Sequence, residues 1–227
     1  TRRDEDIVTE LFTANSHDYV LFFSDRGRVY RLKCYEVPEG SRTSRGINIA
    51  NLLPLQPEER ITSMIRVEAF DDERYLVMVT KIAIDLAEDD VLSWVRITSG
   101  KDDLLVATKH GKAIRFHEDD VREMGRQARG VRAIRLLGDD VVVGMSVLRE
   151  EGLVLTVSET GYGRISEIGD YRLQRRGGKG ILNYHVEKYG DVAAIKVVDL
   201  DDDIILISDD GIIIRIEAQS VRVCARP

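Results

Sequence analysis

The segment "LLVATKHGKAIRF" (104–116) reads as an apolar run, a hydroxyl residue, two polar residues, Gly111, and a second apolar run carrying an arginine. Short runs rich in Val, Ile and Leu on either side of a His-Gly pair are the pattern of an antiparallel hairpin closed by a tight turn. The pattern recurs as "VLFFSDRGRVYRL" (20–32), "LVLTVSETGYGRI" (153–165) and "IILISDDGIIIRI" (204–216). Its turn glycines are Gly27, Gly111, Gly161 and Gly211, and the last two intervals are both 50 residues. A second glycine follows each of the first three by 19 positions, in "TSRGINI" (Gly46), "QARGVRA" (Gly130) and "GGKGILN" (Gly180). A third element recurs as "ITSMIRV" (61–67), "VLSWVRI" (91–97), "VVVGMSV" (141–147) and "VAAIKVV" (192–198), with "IVTELFT" (7–13) as its first copy.

Repeats of this length, each a small antiparallel sheet, predict four-stranded blades arranged radially. A blade cannot bury both of its faces alone, so it packs on its neighbours. The expected fold is therefore all-β, a propeller-like disc forming a single domain over 1–227. Five repeats are visible, at about 7–60, 61–90, 91–140, 141–191 and a truncated 192–227. The second is short. "RYLVMVTK" (74–81) begins a copy, but "IAIDLAEDD" (82–90) follows at once, without turn glycine, second strand or basic loop. By the period, roughly 20 residues are missing after Lys81. The one helical signal is a turn near "EDDVREMG" (118–125), and Trp94, on a recurrent strand, is expected in the core.

Composition narrows the function. The 227 residues are 43% hydrophobic and 32% charged, with a net charge of −7. No apolar run approaches the length of a membrane-spanning helix, and no secretory leader pattern is present. A chain that starts at Thr1 and stops at "VCARP" is expected to be an excised piece of a longer protein. Cys34 and Cys224 are read as reduced thiols of a cytosolic protein. His17, His110, His117 and His185 have no ligand spacing, and "DLDDDIILISDD" (199–210) lacks the calcium-loop pattern, so no metal site is expected. No nucleophile motif points to a catalytic centre.

The charges follow the repeat. Residues 26–45 carry Arg26, Arg28, Arg31, Lys33, Arg42 and Arg45 against Glu36 and Glu39. Residues 109–135 hold eight Lys or Arg against four acids, and residues 162–180 hold five against two. All three segments run from the tight turn through the second strand to the glycine loop. The acids gather in other turns: "EAFDDE" (68–73), "DLAEDD" (85–90), "GDD" (138–140) and "DLDDD" (199–203). Equivalent positions of a radial array share a face, so a basic band apart from an acidic face is expected. Such a band can follow duplex phosphates in a protein of negative total charge. Few aromatics interleave with the cations, which disfavours single-strand stacking. Backbone contact, with bending rather than base readout, fits better. The competing reading is solvated cations on exposed strands.

One loop stands out. "QRRGGKG" (174–180) matches the glycine-rich basic box of the bacterial DNA gyrase A subunit, and the repeats of about 50 residues resemble the β-pinwheel of that subunit's C-terminal domain. "SDRGRVYRLKCYEVPEGSRTSRG" (24–46), "NLLPL" (51–55) and "GYGR" (161–164) are similar to that domain as well. The resemblance implies a non-catalytic domain that wraps double-stranded DNA around a basic perimeter and so supports ATP-dependent negative supercoiling. It also implies two partners in an A2B2 holoenzyme, a gyrase A N-terminal domain and the gyrase B subunit. ATP and Mg²⁺ would then lie on other domains, with no cofactor in this one, and the location would be the bacterial cytoplasm and nucleoid. The family's hallmark box lies in its first blade, whereas 174–180 falls in a later repeat. It is thus either a second working box or a secondary contact. The topoisomerase IV A subunit has a similar domain with degraded boxes, and is the alternative within the family.

A glycine-rich basic loop suits a phosphate: glycines let the backbone approach and present N–H donors, while Arg and Lys supply charge. It is not a Walker loop, because Leu173 stands where the first glycine is needed and Gly180 replaces the Mg²⁺-binding hydroxyl residue. A glycine-rich connection between blades is the plain structural alternative. The expected DNA-contacting residues are Gln174, Arg175, Arg176, Gly177, Gly178, Lys179 and Gly180, then Arg45, Lys109, Lys112, Arg122, Arg126, Arg129 and Arg132. A protein-binding propeller is the rival from another class, but the Trp-Asp and paired-glycine signatures of such domains are absent from the sequence.

Overall fold

The computed structural model describes residues 14–40, 47–68, 75–80, 91–123, 130–148, 152–207 and 213–227. The chain falls into two compact units, Thr1–Asp72 and Glu73–Pro227.

In the first unit, β1 (Tyr19–Ser24), β2 (Val29–Lys33) and β3 (Ile61–Val67) form an antiparallel sheet in the order β2-β1-β3. The hairpin turns at Gly27, whose φ of +72° suits a residue without Cβ. Val20 and Phe22 of β1 pack with Leu53 in the core. Beside them Asp18 is buried, receiving the Asn15 amide at 2.7 Å and Arg66 Nε at 2.6 Å. Those partners, the Asn15 N–H foremost, hold its carboxyl below the ordinary range.

The second unit stacks sheets. β4 (Tyr75–Thr80) pairs with β5 (Leu92–Thr98). β6 (Asp103–Thr108), β7 (Lys112–His117) and β8 (Val142–Leu148) form the next sheet. β9 (Leu153–Ser158), β10 (Gly163–Glu167) and β12 (Val192–Val198) form the third. β13 (Asp203–Ile207) and β14 (Ile213–Glu217) form the last. Successive residues of β6 serve different cores. Leu104 and Val106 join Val79, Ile114, Phe116 and Met145, with Trp94 packed at the margin. Leu105 and Ala107 join Val154, Ile168, Tyr171 and Ile195. All four of these β6 side chains are fully buried. This is why the central strands read as unbroken apolar runs: both faces of the sheet are covered. Each Leu so buried contributes about 1.5–3 kcal/mol. A third layer, with Leu155, Ile165, Ile204 and Ala218, repeats the arrangement.

After each hairpin the chain makes one 3-10 turn, at Cys34–Glu36, Glu118–Asp120, Ile168–Asp170 and Ala218–Ser220. The described part of the helical signal at 118–125 holds the second of these, over Glu118–Asp120. The four-residue helix α1 (Val186–Tyr189) has no counterpart in the sequence reading. β4 and β5 are joined by 81–91, whereas their counterparts are joined by the much longer 109–141 and 159–191. The break expected after Lys81 lies outside the described residues, as do the acidic turns at 69–73 and 85–90.

The fourth strand of a sheet comes from the following repeat. β11 (Ile181–Leu182) lies in sequence between β10 and β12, yet it pairs with Ala113 and Lys112 of β7. Leu173 also bridges Arg115, so both ends of the 174–180 loop attach to β7. One repeat later, Val223 bridges Ile165 of β10 in the same way. Gly180 makes the return possible: its φ is +66°, and a Cβ there would lie 2.6 Å from the Ala113 carbonyl oxygen.

Gly180→Ala is expected to destabilise the second unit by about 1–3 kcal/mol. Gly130→Ala, also at positive φ but facing open space, is expected to cost less; equal urea midpoints for the two variants would contradict the strand exchange. Asp18, with its folded pKa below its unfolded one, stabilises the first unit fully above the unfolded value, and the contribution fades as pH falls through the folded value. Asp18→Asn should therefore flatten the acid limb of the stability–pH curve of that unit, and an unaltered limb would speak against the pairing.

Candidate nucleic-acid interface

The box loop springs from the edge of β7. The Gln174 amide donates to the Arg115 carbonyl at 2.9 Å, and β11 returns along Ala113 and Lys112. Between these anchors the loop meets the basic loop of the preceding repeat. The Gly177 amide donates to the Ala133 carbonyl at 2.6 Å, and the Arg135 amide donates to the Gly178 carbonyl at 2.8 Å. Two basic loops that are far apart in sequence are thereby joined edge to edge, through backbone groups that would otherwise lack partners.

The cations of the box divide. Arg175 and Lys179 are exposed and make no ion pair or side-chain hydrogen bond among the described residues. Arg176 turns onto the protein, with Nε donating to the Asp120 carbonyl at 2.7 Å and Nη1 to the Arg132 carbonyl at 3.3 Å. Gln174 is half-buried, and its side-chain nitrogen has no hydrogen-bond partner among the described residues. Gly177, at φ +78°, faces the Arg132 carbonyl, while a Cβ on Gly178 would touch Ile114. These glycines serve close backbone packing as well as exposure.

Of the other expected contacts, Arg122 and Arg132 are exposed without side-chain partners among the described residues, and Lys112 is half-exposed at the start of β7. Lys109, also among the expected contacts, has carboxylate neighbours. Its Nζ lies 3.4 Å from both Glu159 and Asp191, and the two carboxylates, Glu159 foremost, raise its pKa. Arg45, Arg126 and Arg129 lie outside the described residues. Arg115, the arginine of the second strand, is likewise internal: it pairs with Asp103 at 2.6 Å and donates to the Ile168 and Tyr171 carbonyls of the next repeat. Arg215 pairs with Asp203 at the equivalent positions.

Three exposed arginines join the candidate set. Arg172 and Arg222 lie 50 and 100 residues beyond Arg122, each just after its 3-10 turn, and both are exposed. The 50-residue period could have found them from Arg122 alone. Arg135, next to the box backbone, is exposed too. By contrast the hairpin turn at Gly161 carries Tyr162 where those at Gly27 and Gly111 carry Arg28 and Lys112; it is exposed and sits 5.5 Å from the Tyr189 ring.

Below the surface the loops rest on a buried polar link. Tyr171 Oη donates to Asn183 Oδ1 at 2.6 Å, and Asn183 Nδ2 reaches Thr156 Oγ1 at 3.3 Å. Burial pushes the Tyr171 hydroxyl pKa up, keeping it a neutral donor. Arg164 donates to the Asn183 carbonyl, fastening the segment after the box to β10. The site is thus a set of exposed guanidinium and ammonium groups on a braced backbone, with no catalytic constellation among the residues placed there.

The family described as DNA gyrase C-terminal domain, beta-propeller, matches residues 18–68, 102–149, 152–199 and 202–226. The A subunit of DNA gyrase from Staphylococcus epidermidis is 41% identical over 242 residues, an alignment covering 96% of this chain and 27% of the relative. Its counterpart from Staphylococcus aureus matches to the same extent, so the chain spans about a quarter of these curated relatives. A solved DNA gyrase A C-terminal domain superposes with a TM-score of 0.79 at 26% identity, covering 94% of this chain and 76% of that one. The C-terminal domain of DNA topoisomerase IV gives 0.86 at 21% identity over 99% and 77%, a likeness of fold. With its hairpin repeats, exchanged edge strands and sequence matched across four of its repeats, this chain belongs to the DNA gyrase C-terminal domain family of β-propellers.

Proposed function

We propose that this chain is a DNA-wrapping domain of a gyrase A subunit, one β-pinwheel in which all five repeats take part. It binds double-stranded DNA without sequence preference and bends it along its basic loops. In the holoenzyme, with the gyrase A N-terminal domain and gyrase B, that bend supports ATP-dependent negative supercoiling in the bacterial cytoplasm. ATP and Mg²⁺ act on other domains, and this one is non-catalytic. The observation that carries the proposal is the recurrence of exposed cations at one repeat position, Arg122, Arg172 and Arg222 after the 3-10 turns, beside Arg132, Arg135, Arg175 and Lys179 on adjoining loops, none of them ion-paired among the described residues. Such cations, with no carboxylate partner among the described residues to neutralise them, suit a polyanion that runs past successive repeats. The resemblance to gyrase A at 41% identity favours gyrase over topoisomerase IV, whose likeness is one of fold.

Within this reading Arg175, Lys179, Lys112, Arg122 and Arg132 are contacts, joined by Arg135, Arg172 and Arg222. Arg45, Arg126 and Arg129 belong with them by their place in the repeat. Lys109 contributes less, since a phosphate would compete with Glu159 and Asp191 for it.

Arg175→Ala with Lys179→Ala should weaken duplex binding and reduce the slope of log K against log salt by about 0.9 for each phosphate no longer neutralised. An unchanged slope would remove the box from the contact surface. Relaxing and religating a nicked plasmid with the intact protein bound should shift linking number toward positive writhe. Binding without a shift would leave simple association in place of wrapping.

A further inference from the structure

Arg176 and Arg226 occupy the same position in successive repeats, and their surroundings coincide. Arg176 Nε donates to the carbonyl of Asp120, the last residue of a 3-10 turn; Arg226 Nε donates to that of Asp170, the last residue of the next one, at 3.1 Å. Arg176 Nη1 donates to the Arg132 carbonyl, two residues beyond Gly130; Arg226 Nη1 donates to the Leu182 carbonyl, two residues beyond Gly180, at 2.6 Å. The sequence separations are identical, 56 and 44 residues in both cases. A contact reproduced at two stations in different loop sequences, "RGGKG" and the terminal "RP", belongs to the repeat rather than to one loop.

We propose that Arg176 is a positioning residue, a tie that fastens the box to the preceding repeat, and that the box offers DNA only Arg175 and Lys179. This rests on the reading of the box as a duplex-binding loop. The pattern behind it is Arg-x-x-(Lys or Arg)-Gly, present as Arg42 to Gly46, Arg126 to Gly130 and Arg176 to Gly180. In the box its first cation turns inward and its second outward. The inward one must be arginine, because a planar fork reaches two carbonyls at once, where a lysine ammonium is a point charge. The carbonyls it takes would otherwise be left partly unsatisfied at the junction of two loops. The tie also acts where the loops meet, beside the Gly177–Ala133 and Arg135–Gly178 hydrogen bonds, so it braces the backbone that carries Arg175 and Lys179.

The test uses the intact protein with Arg176→Ala, Arg176→Lys, Arg175→Ala and Lys179→Ala, first without DNA. Hydrogen exchange at the Gly177 and Arg135 amides should accelerate at least several-fold in both Arg176 variants and stay unchanged in the other two. In duplex binding Arg176→Lys, which keeps the charge, should lose affinity as Arg176→Ala does, while Lys179→Arg retains it. Native affinity and native amide protection in Arg176→Lys would make Arg176 a charge contact and overturn the tie. Should Arg176→Ala unfold the chain, Arg226→Ala supplies the same measurement one station on, where the Cys224 amide, bonded to Ile165, should lose protection; unchanged exchange there would overturn the tie equally. If Arg175→Ala and Lys179→Ala bind duplex like the native protein while the Arg176 variants still release their amides, the DNA reading of the box fails and the tie stands.

Discussion

The central sheet of the second unit depends on the edge strand that it takes from the next repeat. β7 would otherwise present a row of unpaired N–H and C=O groups, the hazard of any sheet edge. It is covered by Leu173 and β11, which belong to the next repeat in sequence. The exchange satisfies the backbone, fixes the spacing of neighbouring sheets and sets the glycine loop on the outside of the joint. A loop that must leave β7 at Leu173 and return at Ile181 has few residues for the excursion. The left-handed Gly177 and Gly180, close against neighbouring carbonyls, follow from that shortness.

The same constraint sorts the charges. Several arginines near the joint have carbonyls or carboxylates within reach and are drawn into it, whereas Arg132 and Arg135 beside it stay exposed. Arg115 ties β7 to the following 3-10 turn, Arg164 holds the segment after the box, and Arg226 meets Asp170 and Leu182. Other cations, such as Arg122, Arg172, Arg175 and Lys179, have no such partners among the described residues and face water. An acidic protein can thus expose basic stations, because many of its arginines are structural and many of its carboxylates are their counterparts. Neutralising pairs such as Arg115–Asp103 and Lys109–Glu159 remove charge from both columns.

Much of the fold was legible because the repeat writes it several times. The hairpin strands, the turn glycines Gly27, Gly111 and Gly161 and the returning strand at 61–67, 92–98, 142–148 and 192–198 stand within a residue of where the recurrences put them. Trp94 lies against the core as its strand position implied. Less was legible where one signal has two physical meanings. The tract at 118–125 carries helix-forming residues, yet its described part makes one 3-10 turn, since the chain must swing at once toward the next repeat's edge. Lys109 has the composition of a contact residue, but Glu159 and Asp191 reach it from the next repeat. Arg172 and Arg222 share the 50-residue period of Arg122, but each is a single cation just after its 3-10 turn and lies outside the glycine loop that draws the eye.

What the sequence determined by itself is therefore what repetition and alternation encode: an all-β array, its hairpin register, the positions of its glycine loops and the segregation of its basic segments. Tertiary structure decided ownership. It assigned the fourth strand of one sheet to the next repeat, and within "QRRGGKG" it turned Arg176 inward and left Arg175 and Lys179 outside. Adjacent arginines are chemically identical in the sequence; only the placement of two backbone carbonyls, 56 and 44 residues upstream, distinguishes a tie from an exposed charge.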